Sequence, residues 1–308
     1  MSLIGPASSG TAWFLQGIAT LQAQQTQVQR ELSSGYQVLD ASDAPAQTPE
    51  LVNLGSSLAQ VQAYQTNLTR VQAEASTADQ SLGTAISLVQ NAQTLASQGA
   101  NTITTAATRQ TLAEQVQSIQ QQLVSIANTT VEGRFIFGGD NDTSAPYQYD
   151  ATAATGVDQL TPQTATRVIT NPAGVTVYQP LSAQQIFAPV DNTGAPTANS
   201  TFAALQSLVT ALNANDTTGI ATAITSLSAS STYLNQQQAY YGNAEQRLTS
   251  EQNTAANQST ALQVQISGIR DTNVTQAATQ LTQLATDQSA AYAAQAAIPV
   301  KSLFDYLG

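Results

Sequence analysis

The stretch from Leu68 to Ala96, LTRVQAEASTADQSLGTAISLVQNAQTLA, decides the fold of this 308-residue chain. Apolar residues recur in it at alternating steps of three and four, which places them along one face of an α-helix. Such a stripe becomes buried when it packs against another helix. The helix is predicted to begin at Thr48-Pro49-Glu50 and to end at Gly99. Its length of about 70 Å, at 1.5 Å per residue, requires partners along its whole course.

Three further segments carry the same spacing and supply those partners. One lies near the start of the chain, a short one follows Gly99, and a long one runs from Leu227 toward the C-terminal side. We predict that the first and the last segments pair, so that both ends of the chain lie together in a helical bundle. The apolar residues are Phe14, Ile18, Leu21, Val28 and Leu32 near the start, Leu112, Val116, Ile119, Leu123 and Ile126 after Gly99, and Leu281, Leu284, Ile298, Leu303 and Phe304 toward the end.

The terminal stripes contain many alanine and glutamine residues. Alanine buries little apolar area, and a glutamine in a core is costly unless it is paired. We therefore expect the terminal helices to be weak as an isolated pair and to become ordered on assembly with other subunits. Their large apolar residues, in the first and last groups above, are the predicted assembly interface. Trp13 is expected to be the first buried residue of the first helix.

The interior of the chain differs from both ends. Six of the ten prolines fall between Pro146 and Pro196, among glycines and short runs of Val, Ile and Tyr. This composition predicts a compact β-rich insert that interrupts the helices. We predict three parts: terminal helices over 1–46 and 255–308, a helical rod over 47–137 and 200–254, and a β-rich outer domain over 138–199. The insert is expected to be a separate module, whose boundaries near Gly138 and Asn199 make few contacts with the helical core.

Aromatic residues of the insert allow two interpretations. Tyr147, Tyr149, Tyr178 and Phe187 could form an exposed surface that binds a carbohydrate. They could instead form the core of the small domain, together with Val175 and Val177 on alternate positions of a strand. We favour the core, because the insert offers few other large apolar residues.

Enzymatic chemistry has few candidates in this sequence. There is no His and no Cys, which excludes a Ser-His triad, a thiol nucleophile and a His/Cys metal site. Lys301 is the single lysine. Asp140 and Asp142 flank Asn141 in a predicted turn, and we favour turn hydrogen bonds over a calcium site there. We expect no catalytic residue, no cofactor and no metal, and hence a protein that is not an enzyme.

The charge of the chain indicates which classes of partner it can bind. The formal net charge is −11 and only 9% of residues are charged, so no basic patch is available for phosphates. Nucleic acid and anionic membrane surfaces are therefore not expected as partners. A polar surface with few charges suits close association with copies of the same chain. The first 20 residues lack a basic region and a long apolar run, so no cleavable signal peptide is expected.

Two motifs resemble the bacterial flagellin superfamily. Leu32-Ser33-Ser34-Gly35, followed by a segment with Asp43 and Pro45, is similar to the turn after the first helix of that family. Residues 126–139, IANTTVEGRFIFGG, resemble the segment that leads from its helical core into the outer domain. The second motif includes Arg134, Phe135, Ile136, Phe137, Gly138 and Gly139, and residues 302–304 of the tail are similar as well.

This resemblance implies a mainly α fold with a β-rich insert. It would be an elongated, flagellin-like helical bundle or coiled coil formed by the N- and C-terminal regions, with a small outer β domain. It also implies a structural component of the bacterial flagellum, at the junction that links the hook-associated ring to the flagellin filament. The filament subunit is the alternative, followed by a surface protein that binds carbohydrate.

The partners implied by the resemblance are other flagellar proteins. Subunits would form a homo-oligomeric ring that contacts a neighbouring hook-associated protein on one side and flagellin on the other. Family members leave the cell through the flagellar type III export apparatus with the help of an export chaperone. The resemblance thus implies an extracellular location at the hook–filament junction, reached without a cleaved signal peptide.

Overall fold

The computed structural model describes residues 6–161 and 164–297, and within them most residues are helical. Three helices exceed 25 residues in length and contain most of the helical residues, and the described residues form four shorter helices as well. In chain order they are α1 (Pro6–Ser34), α2 (Thr48–Ala100), α3 (Ala106–Ala127), α4 (Ala183–Phe187), α5 (Thr201–Asn213), α6 (Thr217–Arg270) and α7 (Val274–Ala297).

The long helix α2 confirms the predicted start at Thr48 and extends one residue beyond Gly99. Its stripe of buried residues contains the predicted positions from Leu68 to Ala96, most of them less than 2% exposed. The short helix predicted after Gly99 is α3. It begins after the N-cap Thr105, whose hydroxyl accepts from the N–H of Thr108 at 3.2 Å. Leu112, Val116 and Leu123 are buried, as predicted, and Ile126 is half-buried.

The strands are short and form three separate two-stranded antiparallel pairs among the described residues. A tight hairpin joins the first pair, in which Glu132 and Gly133 both have positive φ, of 51° and 76°. The pairs are β1 (Thr130–Val131) with β2 (Arg134–Phe135), β3 (Tyr147–Tyr149) with β4 (Val157–Gln159), and β5 (Ile169–Thr170) with β6 (Thr176–Tyr178).

The described chain divides into two compact units. One contains the residues up to Gln60 and those from Gln258 onward, and the other contains Val61–Asn257. In the second unit, α3 packs against α5, and eight of the 13 residues of α5 are buried. In the first unit, α1 packs against α7, which confirms that the two ends of the chain lie together.

The aromatic residues of the insert are core residues, as favoured, but they do not form a separate small core. Phe187 packs against Phe202 of α5 at 6.0 Å between ring centres, and Tyr178 lies 6.4 Å from Tyr241 of α6. Tyr147 likewise contacts Phe202 at 5.2 Å, while Tyr149 is half-buried. The expectation that the insert is a separate module is therefore wrong. Val175 is 60% exposed, which also corrects its assignment to a core, while Val177 is buried.

The structure contains two helix breaks that the sequence did not predict. The C-terminal stripe does not lie on one continuous helix, because Asp271–Asn273 separate α6 from α7. Residues Ala214–Asp216 likewise separate α5 from α6, with Asn215 in the left-handed region at φ 56°. The first helix begins at Pro6, and Trp13 is 73% exposed, so its expected burial is wrong.

Candidate assembly surface of the terminal helices

The pair formed by α1 and α7 brings together the predicted apolar residues of both ends of the chain. Val28, Ala277 and Leu284 form its buried centre, and Leu21, Leu32 and Leu281 pack against that centre while half-buried. Both helices are formed and paired in the structure. That they become stably ordered only on assembly stays a prediction. Of the remaining predicted residues, Ile18 is buried and Phe14 is half-buried, while Ile298, Leu303 and Phe304 lie outside the described residues.

The turn that follows α1 is fixed by the first family motif. Gly35 adopts φ 77°, and its N–H bonds to the carbonyl of Glu31 at 2.8 Å, which closes the helix in the left-handed C′ conformation. Asp43 accepts hydrogen bonds from the backbone N–H groups of Asp40 at 2.9 Å and Leu39 at 3.1 Å. These bonds hold the pKa of the Asp43 carboxyl below its usual value, so the loop is stabilised by an ionised side chain.

The same turn is attached to the junction between α6 and α7. The N–H of Gln37 bonds to the carbonyl of Arg270 at 2.8 Å, and the N–H of Thr272 bonds to the carbonyl of Gly35 at 2.8 Å. The guanidinium of Arg270 lies 4.1 Å from the centre of the Tyr36 ring, a cation–π contact. These contacts set where α1 and α7 begin their pairing. Sequence analysis missed them, because Tyr36 and Arg270 are more than 200 positions apart.

Large apolar side chains of the first unit remain exposed outside the contact between α1 and α7. Trp13 and Leu15 of α1 are 73% and 61% exposed, and Tyr292 of α7 is 49% exposed. The other members of this group in the first unit are Tyr36, Leu39, Val52, Val264 and Val274.

The second family motif has a structural role, because its Arg134 pairs with the nearby Asp142. The carboxylate of Asp142 is 7% exposed and bonds to Arg134 through Nε at 3.1 Å and to Arg167 through Nη1 at 2.7 Å. Burial opposes ionisation of Asp142, but the hydrogen bond from Arg167 and the charges of both arginines outweigh it, so the pKa lies below its usual value. Sequence analysis did not identify the partner Arg167.

Phe137, Gly138 and Gly139 of the same motif lie in a tightly packed region. Phe137 is fully buried and contacts Phe187 and Tyr241 edge to face, at 5.8 and 6.3 Å between ring centres. A Cβ at Gly138 would lie 2.6 Å from the carbonyl oxygen of Asn141, and one at Gly139 would lie 2.2 Å from that of Thr164. Larger residues therefore do not fit at either position.

The hydrogen bonds of the Asp140 carboxylate tie it to a distant segment, which differs from the local turn bonds that the sequence predicted. The carboxylate accepts from the backbone N–H of Thr166 at 2.9 Å and from that of Arg167 at 3.2 Å, and these bonds lower its pKa. Within residues 6–161 and 164–297 there is no group of three or more acidic side chains placed to hold a metal ion. Across the same residues, no helix has the length and apolar character that crossing a bilayer would require.

Comparison with known proteins identifies relatives of both ends of the chain. Residues 12–142 match the bacterial flagellin N-terminal helical region, and residues 220–307 match the bacterial flagellin C-terminal helical region. Together these two matches cover more than half of the chain. A curated relative, flagellar hook-associated protein 3 of Escherichia coli (strain K12), is 30% identical over 134 residues, which are 43% of this chain and 42% of that protein. The alignment thus spans less than half of the relative's length.

Two solved structures from Legionella pneumophila have a similar fold. The first, flagellar hook associated protein-3, has a TM-score of 0.60 at 11% identity, covering 70% of this chain and 98% of that one. The second, the flagellar junction protein FlgL, has a TM-score of 0.53 at 11% identity, covering 65% of this chain and 99% of that one. At these identities the likeness concerns the fold alone.

Proposed function

This chain belongs to the bacterial flagellin family, and we propose that it is a structural subunit of the flagellum that joins the hook to the filament. The observation that carries the proposal is the pairing of α1 with α7, which places both flagellin-like ends in one unit. The names of the relatives, hook-associated protein 3 and junction protein, favour the junction over the filament itself.

Assembly rather than catalysis is the proposed activity. The terminal regions 1–46 and 255–308 would form the inner coiled coil, 47–137 and 200–254 the rod, and 138–199 the outer part. Subunits would contact one another in a ring, with a hook-associated protein on one side and flagellin on the other. The absence of His and Cys and the net charge of −11 support a role without metal, cofactor, nucleic acid or membrane contacts.

An extracellular position follows from the same proposal. The subunit would leave the cell through the flagellar export apparatus, held by an export chaperone, without removal of a signal peptide. The weakly packed pair of α1 and α7 supports this route, because a small buried centre is easily opened for export and closed again on assembly.

The proposal can be tested by a matched pair of substitutions on α7. Leu284 is 8% exposed and belongs to the buried centre of the α1–α7 pair, whereas the neighbouring Ala285 is exposed. Leu284→Asp replaces buried apolar area with an unpaired carboxylate and should destabilise the α1–α7 pair by about 3–5 kcal/mol. Cells that carry it should release flagellin without forming filaments. Ala285→Asp adds the same charge at an exposed position outside this buried centre and should leave filaments intact.

Two measurements complete this test. Circular dichroism of the purified Leu284→Asp chain should retain the helical signal of the second unit, because Leu284 belongs to the first unit and not to the core of the second. If cells with Leu284→Asp build filaments of normal number and length, or if cells that lack the chain altogether still do so, the junction function is wrong.

A further inference from the structure

An apolar groove lies between the start of α2 and the end of α6. It has a volume of about 380 Å³ and is lined mainly by Leu51, Gly55, Leu58, Ile266 and Arg270. The three large apolar residues are only half-buried, whereas Val61 and Leu68, further along the same stripe of α2, are buried. In this stretch the two helices therefore lack the additional partner that a helical stripe requires.

Gly55 forms a notch in the floor of this groove. A Cβ at this position would meet nothing within 4 Å, so no contact in the chain requires a glycine. Glycine in a helix interior costs about 1 kcal/mol relative to alanine. The open space above it is large enough for an aromatic side chain from outside.

The single tryptophan of the chain is largely exposed to solvent. Trp13 lies on α1 and is 73% exposed, the highest value for any aromatic residue among those described as exposed. Tryptophan is strongly enriched among the residues that dominate protein interfaces, where it fills a pocket on the partner. Its indole ring also forms the most favourable cation–π contacts with arginine.

Trp13 cannot fill the groove of its own chain. Helix α1 carries the backbone from Trp13 to Ser34, about 32 Å at 1.5 Å per residue. Tyr36 follows directly and lies against Arg270, which lines the groove at 4.1 Å from the tyrosine ring. Trp13 is thus about 30 Å from the groove edge at Arg270, at the opposite end of a continuous helix.

We propose that the groove formed by Leu51, Gly55, Leu58 and Ile266 receives Trp13 of a second copy of this chain. The indole ring fills the notch at Gly55 and packs against the leucines, while Arg270 contacts its face beside Tyr36. The contact joins two different surfaces of identical subunits, and such head-to-tail contacts repeat from one copy to the next. The inference rests on the proposed function, since it describes how subunits associate within the flagellum.

Introduced cysteines can test the contact, because the chain has none of its own. Ala12 is exposed next to Trp13, and Gln263 is exposed on the rim of the groove. Within one chain these positions are too far apart for a disulfide, which requires Cα atoms within about 7 Å. In flagella purified from cells that carry Ala12→Cys with Gln263→Cys, mild oxidation should produce a ladder of covalent multimers. Each single variant should give dimers at most.

A substitution at the notch supplies the matched control. Gly55→Leu fills the groove and should abolish the ladder, while the melting temperature of the purified chain should not fall, since leucine favours the helix. Gly242→Leu, at another helical glycine with open space around it, should keep the ladder. Flagella that contain the double-cysteine chain but give no ladder would overturn this inference alone, as would a ladder that survives Gly55→Leu. Absence of the wild-type chain from purified flagella would overturn the proposed function as well.

Discussion

At the scale of single residues, Asp142 makes the stability of the second unit depend on pH. Because its folded-state pKa is lowered, its stabilising contribution is fully present above the unfolded value near 3.8 and is lost as the pH falls through the folded value. Asp142→Asn removes this charge and leaves Arg134 and Arg167 without their carboxylate. We expect it to lower the free energy of unfolding by about 1–3 kcal/mol at pH 7, since both arginines are partly solvated.

Thermal unfolding followed at pH 7 and at pH 3 checks this expectation. The difference between wild type and Asp142→Asn should be largest at pH 7 and should shrink at pH 3. Glu114→Gln, which removes an exposed carboxylate from α3, should have little effect at either pH. An equal loss of stability for Asp142→Asn at both pH values would show that the ion pairs are not its cause.

At the scale of helices, the pair of α1 and α7 should be the least stable part of the described chain. Ala277 and Leu284 are the buried residues of α7, whereas α5 buries eight of its 13 residues. Amide hydrogen exchange of the purified chain should therefore be more than about ten-fold faster in α1 and α7 than in α5. In assembled flagella the exchange of α1 and α7 should become slow. Equal protection of all three helices in the purified chain would contradict this expectation.

The helices themselves could largely be predicted from the sequence. The three-four spacing gave the course of α2 and α3, and the apolar stripes of both ends indicated that α1 and α7 pair. The break at Asp271–Asn273 was not predicted, because apolar residues with helical spacing lie on both sides of it. The break is held by two hydrogen bonds to residues from the other end of the chain. The N–H of Gln37 donates to the carbonyl of Arg270, and the N–H of Thr272 donates to the carbonyl of Gly35.

The aromatic core was predicted only in part, for a similar reason. Composition indicated that Tyr147, Tyr178 and Phe187 are buried, and they are. Local patterns carry no information about which distant residues they contact, so the packing against Phe202 and Tyr241 could not be inferred. The insert and the helices of the second unit consequently share one core rather than two.

At the scale of the whole molecule, the composition suits a subunit of a large assembly. Few residues are charged, so neighbouring copies repel one another weakly, and large apolar side chains such as Trp13 and Leu15 remain exposed in the single chain. Both ends contribute helices to one unit. Under the proposed function, residues from both ends would therefore lie near the surfaces that meet other subunits.

The position of the chain in the flagellum is the measurement that tests this account most directly. Immunogold labelling of intact flagella with an antibody against this chain distinguishes the junction from the filament, because the two positions differ at the resolution of an electron micrograph. The account predicts a single band of gold particles between hook and filament on each flagellum. Labelling spread along the whole filament would contradict it and would identify the chain as a filament subunit instead.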